Sequence, residues 1–333
     1  MKTMDWNKDI KVFAKPDNFK ATRQILNTAV PYIGLLFATF YSFNQGYILL
    51  TSLLSLISAF FMVRVFILFH DCTHGSFTDS KKANDLLGHI FGVLSFTPYA
   101  SWKKEHTIHH GAVGNLDRRG VGDIWTMTID EYTTKSTFVR FIYRLFRNPF
   151  FLFGIAPFFK FLVLNRIAKR SAPKAERLSN LYTNLGILAI SIIFSLVFSF
   201  RTYAIMQFIV VYMASSIGLW MFYVQHQFEE VYWEEAKDWN SKDAALKGST
   251  FYKLPLLFEW LSGYIGYHHI HHLNSKIPNY NLKACYKSHI ELKEVRTVKF
   301  IESIHLAFLQ IYDEKNKKLI SFKTFKKLQN NPI

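Results

Sequence analysis

Four stretches with almost no charge limit what this chain can fold into. Residues 29–46 are apolar or weakly polar throughout, and residues 47–69 are interrupted only by Arg64. Residues 180–200 and 202–225 contain no charge at all. Each approaches the ~20 residues an α-helix needs to cross a hydrocarbon core of about 30 Å. A helix inside a water-soluble core usually needs only about 10–14 apolar residues and keeps a polar face. The pattern therefore predicts transmembrane helices over about residues 27–44, 47–69, 180–200 and 203–225, paired as two hairpins.

Charge gives these hairpins a direction. The first turns at Phe43-Asn44-Gln45-Gly46, without charge, and the second at Arg201. Of the 40 Lys and Arg, all but Arg64 and Arg201 lie on the other side. By the positive-inside rule that side is cytoplasmic, with both termini there. The net charge of +16 then belongs to a protein facing anionic lipid and acidic partners. No groove-reading module for nucleic acid is visible. The opening MKTMDWNKDIKVFAKPDNFK is polar, so no removable signal peptide is expected, and residues 1–24 read as a surface lead-in. Two cysteines, Cys72 and Cys285, make no disulfide framework.

Between the hairpins, residues 85–99 are too short to cross and predict a helix tucked against the membrane face. Residues 130–147 alternate basic and apolar side chains, as an interfacial helix does. The aromatic-rich residues 150–163 suit an interfacial segment or a partial insertion. From residue 291 onward, Phe, Leu and Ile alternate with Lys, predicting a basic amphipathic cover.

The chemistry lies in histidines. On a helix, positions i, i+3 and i+4 share a face. His106, His109 and His110 have this spacing within residues 102–125, and His268, His271 and His272 repeat it. His70 and His74 add an HxxxH pair, and His226 ends the fourth apolar block. Neutral imidazole binds iron, zinc and copper. One tetrahedral zinc needs only about four ligands and offers no redox chemistry. Two five-coordinate metals need about ten positions, so nine imidazoles favour two irons with room for oxygen or water. The paired Glu-x-x-His motifs of carboxylate-bridged di-iron bundles are absent from the sequence.

Ligating histidines usually give their second N–H to a carboxylate or carbonyl, which nominates Asp71, Glu105 and Glu229, with exposed surface charge as the plain alternative. Cys72 reads as a packing residue. Arg64 lies about 9 Å along its helix from His70, where it could snorkel to the interface or meet a substrate head group. The loop NLDRRGVGD offers Asp117, Arg118 and Asp123 as polar contacts to substrate or electron donor.

The three boxes, HDCTH at 70–74, HTIHH at 106–110 and HHIHH at 268–272, resemble the signature of the membrane fatty acid desaturases. The finer similarity is to bacterial acyl-lipid delta-12 (omega-6) enzymes. It is carried by NLDRRGVGDIWTMTIDEY, FYVQHQFEEVYW and HHIHHLNSKIPNYNL, and spans about residues 63–282. The resemblance implies an all-α integral membrane protein of one domain, 1–333, with four transmembrane helices as a stem. A cytosolic helical cap from 70–179 and 226–333 would hold the di-iron site. It also implies iron ligation by His70, His74, His106, His109, His110, His226, His268, His271 and His272. The implied reaction removes two hydrogens from adjacent methylenes, using O2 and two electrons. Its substrate would be a membrane lipid acyl chain or an acyl thioester. No fused cytochrome b5 heme motif is seen, so electrons are expected from a separate protein such as ferredoxin. Relatives often carry Asn where Tyr264 stands here. In a bacterium the site would face the cytoplasm from the inner membrane.

Two other readings compete. A hydroxylase or ketolase of lipid or carotenoid shares the box plan and differs in product. A non-catalytic metal-binding or metal-transport protein would be expected to carry ionisable residues near the bilayer midplane, and these helices have almost none.

Overall fold

A computed structural model describes residues 6–330; the lead-in residues 1–5 and the terminal residues 331–333 lie outside the described part. The protein is mostly helical. Four stretches are long and apolar enough to cross a membrane: Asn18–Asn44, Ile48–His74, Lys174–Phe198 and Phe200–His226. The first is α1 (Asn18–Leu26) followed by α2 (Ala29–Asn44). Next come α3 (Ile48–His74), α4 (Lys81–Leu94), α5 (Tyr99–Ala112) and α6 (Thr137–Phe146). Then follow α7 (Lys174–Phe198) and α8 (Phe200–His226). Shorter helices follow, among them α9 (Leu256–Leu261), α10 (His268–Leu273), α11 (Asn279–Ser288) and α12 (Phe322–Asn330).

The apolar blocks are where the sequence places them, but the helices outlast them at the histidine end. α3 continues from Phe69 through His74, and α8 reaches His226. Gly75 stops α3. Its φ of +63° suits glycine, while its N–H reaches the Cys72 carbonyl (3.0 Å) and the Ser76 N–H reaches that of Asp71 (3.1 Å). The helix therefore ends immediately after its second histidine.

α2, α3, α7 and α8 pack together. Their polar contacts are few and mutually satisfied: Thr39 with Ser58 (3.2 Å) and Ser42 with Thr51 (2.8 Å) join α2 to α3. Such hydrogen bonds contribute ~1 kcal/mol each between helices in lipid. At the opposite end from the histidines, the Thr202 hydroxyl donates to Asn44 Oδ1 (2.6 Å) and Asn44 Nδ2 donates to the Phe198 carbonyl (3.3 Å). α7 keeps Leu181, Leu185, Leu188, Ile192 and Leu196 exposed along its length. A continuous apolar face of this length is a lipid-facing surface.

The all-α expectation needs correction, because two small sheets are present. β1 (Phe251–Lys253) pairs in parallel with β2 (Thr297–Lys299), and β3 (Ile311–Asp313) pairs antiparallel with β4 (Lys318–Ile320). Three-residue strands are too short to show alternation in sequence, and β1 takes its register from a partner far along the chain. The tail beyond residue 291 is likewise more than a helical cover. It folds back so that Ile311 and Phe325 pack with Met127, Tyr132 and Tyr143.

The residues 85–99 segment divides into the end of α4 and the start of α5, with Ser80 accepting from the Ala83 N–H (3.3 Å) to begin α4. Residues 151–166 form a helical segment with π-type turns, bent by 64° from α6. Arg147 sits at the bend. It is fully enclosed, and its guanidinium donates to Thr126 Oγ1 (3.0 Å), the Tyr223 hydroxyl (3.0 Å), Gln227 Oε1 (3.0 Å) and the Leu309 carbonyl (2.6 Å). Three remote segments are thus tied to one side chain.

Candidate metal centre

Helical spacing brings the histidines onto common faces, and the packing of α3, α5, α8 and α10 brings those faces together. Two groups result. His70, His74, His106, His110 and His271 offer ring nitrogens that all lie within 4.8 Å of one another. His109, His226, His268 and His272 do the same. In the first group the Nε2 atoms of His106 and His70 are 2.9 Å apart, those of His110 and His106 are 3.0 Å apart, and those of His271 and His110 are 2.9 Å apart. In the second, His268 Nε2 lies 2.8 Å from that of His226 and 3.1 Å from that of His272. The groups abut: the His110 and His272 rings, one from each, stack with centroids 4.2 Å apart.

The outer nitrogens explain why Nε2 faces inward. His109 Nδ1 lies 2.5 Å from Asp123 Oδ1, His70 Nδ1 lies 3.3 Å from Asp71 Oδ1, and His226 Nδ1 lies 3.3 Å from the Gly248 carbonyl. A proton held on Nδ1 by each acceptor leaves a bare lone pair on Nε2. Asp71 is itself held by the backbone N–H of Asn279 (2.6 Å) and its side-chain amide (2.8 Å).

The donor set fits metal cations. His74 Nε2 and His109 Nε2 are buried without a hydrogen-bond partner among the described residues. A buried imidazole nitrogen is costly to leave unmatched, and convergent lone pairs repel unless a cation lies between them. Burial, reinforced by neighbouring imidazoles, holds His106, His110, His268, His271 and His272 well below the usual histidine range, so they are neutral and able to ligate. Asp123 is pulled two ways. Burial, the largest influence, opposes its ionisation, but the His109 hydrogen bond and nearby imidazoles outweigh it and hold the carboxyl below its ordinary value. No carboxylate belongs to either group among the described residues.

Aromatic side chains wall the groups. The Trp102 ring stacks on His106 at 4.2 Å, and Phe222 sits 5.3 Å from His109 and 5.0 Å from His226. Gly122 brings the loop of Asp123 against α5. With φ of +76°, a Cβ there would meet the Glu105 carbonyl at 2.9 Å and His109 Cβ at 3.0 Å.

Other nominated residues lie elsewhere. Glu105 pairs with Lys160 (3.0 Å), and Glu229, in the turn after α8, faces His305 (3.4 Å), so both carboxylates are engaged away from the histidines. Asp117 accepts from the Ala236 N–H (2.8 Å) and closes a loop, and Arg118 is exposed beside it. Asp123, nominated as a substrate or donor contact, instead touches His109. Arg64 does not snorkel. It is 1% exposed and covered by α9, where it donates to Thr28 Oγ1 (2.9 Å) and to the Trp260 carbonyl, with its guanidinium over the Trp260 ring. Tyr264 adopts φ of +62° and belongs to neither histidine group. Gly248 acts through a backbone carbonyl, which no side-chain pattern in the sequence marks; Asp123 is an acid in the loop after the second box, and no local spacing ties it to His109.

Removing the Asp123 carboxylate tests this arrangement. Asp123→Ala should lower metal affinity or turnover about 10–100-fold, with Asp123→Asn losing less because it keeps an acceptor. Metal bound per polypeptide, by elemental analysis, is the measurement. Equal metal content in all three proteins would remove Asp123 from the centre.

The family model described as fatty acid desaturase matches residues 23–297. Over 319 residues the chain is 43% identical to a protein of Bacillus subtilis (strain 168) named "Fatty acid desaturase", covering 96% of this chain and 90% of that one. It is 28% identical over 271 residues to the "sn-1 oleoyl-lipid 12-desaturase" of Synechocystis sp., covering 80% and 72% respectively. It is also 26% identical over 232 residues to the "sn-1 acyl-lipid omega-3 desaturase (ferredoxin)" of the same organism, covering 66% and 61%.

Proposed function

The chain belongs to the fatty acid desaturase family, a membrane oxidoreductase that introduces double bonds into fatty acyl chains, and from that premise we propose that its nine clustered histidines hold two irons. The observation that carries this reading is the pair of abutting, all-imidazole groups with inward Nε2 atoms. His70, His74, His106, His110 and His271 would hold one iron, and His109, His226, His268 and His272 the other. When bound, such a pair supplies an oxidant made from O2 and two electrons, strong enough to take hydrogen from an unactivated methylene. Overall, two C–H bonds break, one C=C bond forms, and O2 with two added electrons and two protons leaves as two waters.

The chain's own residues do the rest. A methylene gives the protein no acid or base to work with, so its contributions are aim and dryness. Asp123, Asp71 and the Gly248 carbonyl keep the proton on Nδ1 of their histidines and fix the ring orientations. Trp102 and Phe222 exclude water from one side of the centre.

In this reading the four long helices form two hairpins with the histidine end in the cytoplasm, in a bacterium at the inner membrane. The concentration of Lys and Arg at that end supports it. So does the apolar face of α6, whose Phe138 and Phe141 are exposed where an interfacial helix would meet lipid. Electrons arrive from a separate protein such as ferredoxin, as the parenthesis in one Synechocystis relative's name suggests for that enzyme.

Gas chromatography of acyl chains from a host expressing the protein should reveal a new double bond. Chelating iron should abolish it, and ferrous iron, but not zinc, should restore it. Hydroxylated products, or unchanged unsaturation with iron and reductant supplied, would refute the proposal.

A further inference from the structure

A groove of about 400 Å3 opens between α7, α8 and the 151–166 segment, apart from the histidines. Its volume falls within the ~300–1,000 Å3 typical of sites for small molecules. Most of its wall is apolar, including Leu162, Ile187, Leu188, Ala204 and Phe208. Arg166 is the charge in it.

Arg166 has no carboxylate partner among the described residues. One Nη donates to Asn184 Oδ1 (3.0 Å) and the other to the Phe96 carbonyl. Nε is buried and has no acceptor. A guanidinium carries five N–H donors; two are used and Nε is buried, which leaves one N–H on each Nη for a phosphate oxygen. Asn184 in turn holds the Arg166 carbonyl (2.9 Å), and Asn180 holds that of Asn165 (2.8 Å), so the cation is fixed at the groove rather than free to swing into water.

The groove is also polarised along its length. Asn184 lies nearer the start of α7, the end that packs on the histidine-bearing α5, whereas Ser191 lies about 10 Å further along at 1.5 Å per residue. Ala204 and Phe208 belong to the first three turns of α8, nearer the turn between α7 and α8. Leu188 and Phe208 are exposed, so the apolar part opens sideways toward lipid. A cation at one end and an apolar, laterally open trough beyond it match an anionic head with acyl tails.

We propose that this groove binds one glycerophospholipid, its phosphate on Arg166 and an acyl chain lying between α7 and α8. None of the nine histidines lines it, so this site stands or falls separately from the metal centre.

Binding of spin-labelled phosphatidylglycerol to the purified full-length protein, against diacylglycerol and free fatty acid carrying the same label, tests the proposal. Phosphatidylglycerol should bind about tenfold or more tightly than diacylglycerol, as expected for charge-assisted hydrogen bonds. Arg166→Gln should bring that ratio near one. Leu188→Trp, on an exposed helix face, should fold normally, fill the trough and weaken phosphatidylglycerol binding several-fold. Iron content and the melting midpoint identify any variant that is simply misfolded, and Leu188→Trp then decides the outcome. Equal affinity of the wild type for the phospholipid and diacylglycerol, tighter binding of the fatty acid, or retention of full affinity by Leu188→Trp would overturn it.

Discussion

Replacing His226 with alanine should abolish double-bond formation as completely as replacing His268. On sequence alone the two differ: His268 belongs to a box, while His226 is a solitary histidine at a helix end. In the structure His226 Nε2 lies 2.8 Å from His268 Nε2 and its Nδ1 faces the Gly248 carbonyl, the same division of labour seen at His109 and His70. Its group contains only four histidines, so losing one removes a quarter of the ligands from that metal position. The expected result is desaturation at background and about one iron per chain instead of two, with the fold retained. Iron analysis and Mössbauer spectra of the variants, beside acyl-chain analysis, provide the check. His269→Ala is the control. That ring lies between Phe251 and Tyr286, outside both groups, and iron content should be unaffected. Full activity in His226→Ala would exclude it as a ligand.

Arg147→Met should be the most destabilising single change outside the histidines. The side chain is buried without a carboxylate partner among the described residues, yet it satisfies acceptors from Thr126, Tyr223, Gln227 and Leu309. Methionine fills much of the space but donates nothing: Leu309 keeps the Tyr223 hydroxyl and Gln227 Oε1 keeps Thr126 Oγ1, but the Thr126 and Tyr223 oxygens lose their donor. Leaving a buried polar oxygen without its donor costs ~1–3 kcal/mol each. Lysine preserves the charge but lacks the fork and should fall between. Because Gln227 follows His226, metal loss on heating should begin earlier as well. The thermal midpoint of the metal-loaded protein, followed by fluorescence-detected size exclusion, measures this, and an unchanged midpoint for Arg147→Met would refute it.

The parts of this molecule that obey short-range rules were readable from the chain. Lipid demands long uninterrupted apolar runs, so the four spans stand out, and helical geometry makes HxxHH meaningful within five residues. Asp71 was legible for the same reason, adjacent to His70 in sequence and 3.3 Å from its ring. Longer-range partnerships were not. Asp123 reaches His109 across a loop, and nothing in the spacing of 14 residues announces it. Glu105 and Glu229 look equally suitable in sequence, but Glu105 pairs with Lys160 and Glu229, in the turn beyond α8, faces His305. Arg64 was placed by distance along a helix, which carried no information about α9 folding over it. The Arg147 network joins residues more than seventy positions apart and β1 pairs with a strand far along the chain, beyond any local pattern, while the β3–β4 hairpin is local but has strands of only three residues.

The order in which the ligands occur along the chain has a consequence for biosynthesis. His70 through His110 leave the ribosome while the whole of α7 and α8 is still untranslated, and His268 through His272 follow more than 150 residues later. Neither metal position can therefore be completed early, since each needs at least one histidine from α10. On the proposed ligand assignment, metal loading is a late event, after α7, α8 and α10 have been made. The nascent protein passes through a stage with five closely spaced, uncommitted imidazoles, when the wrong cation has its best opportunity to bind.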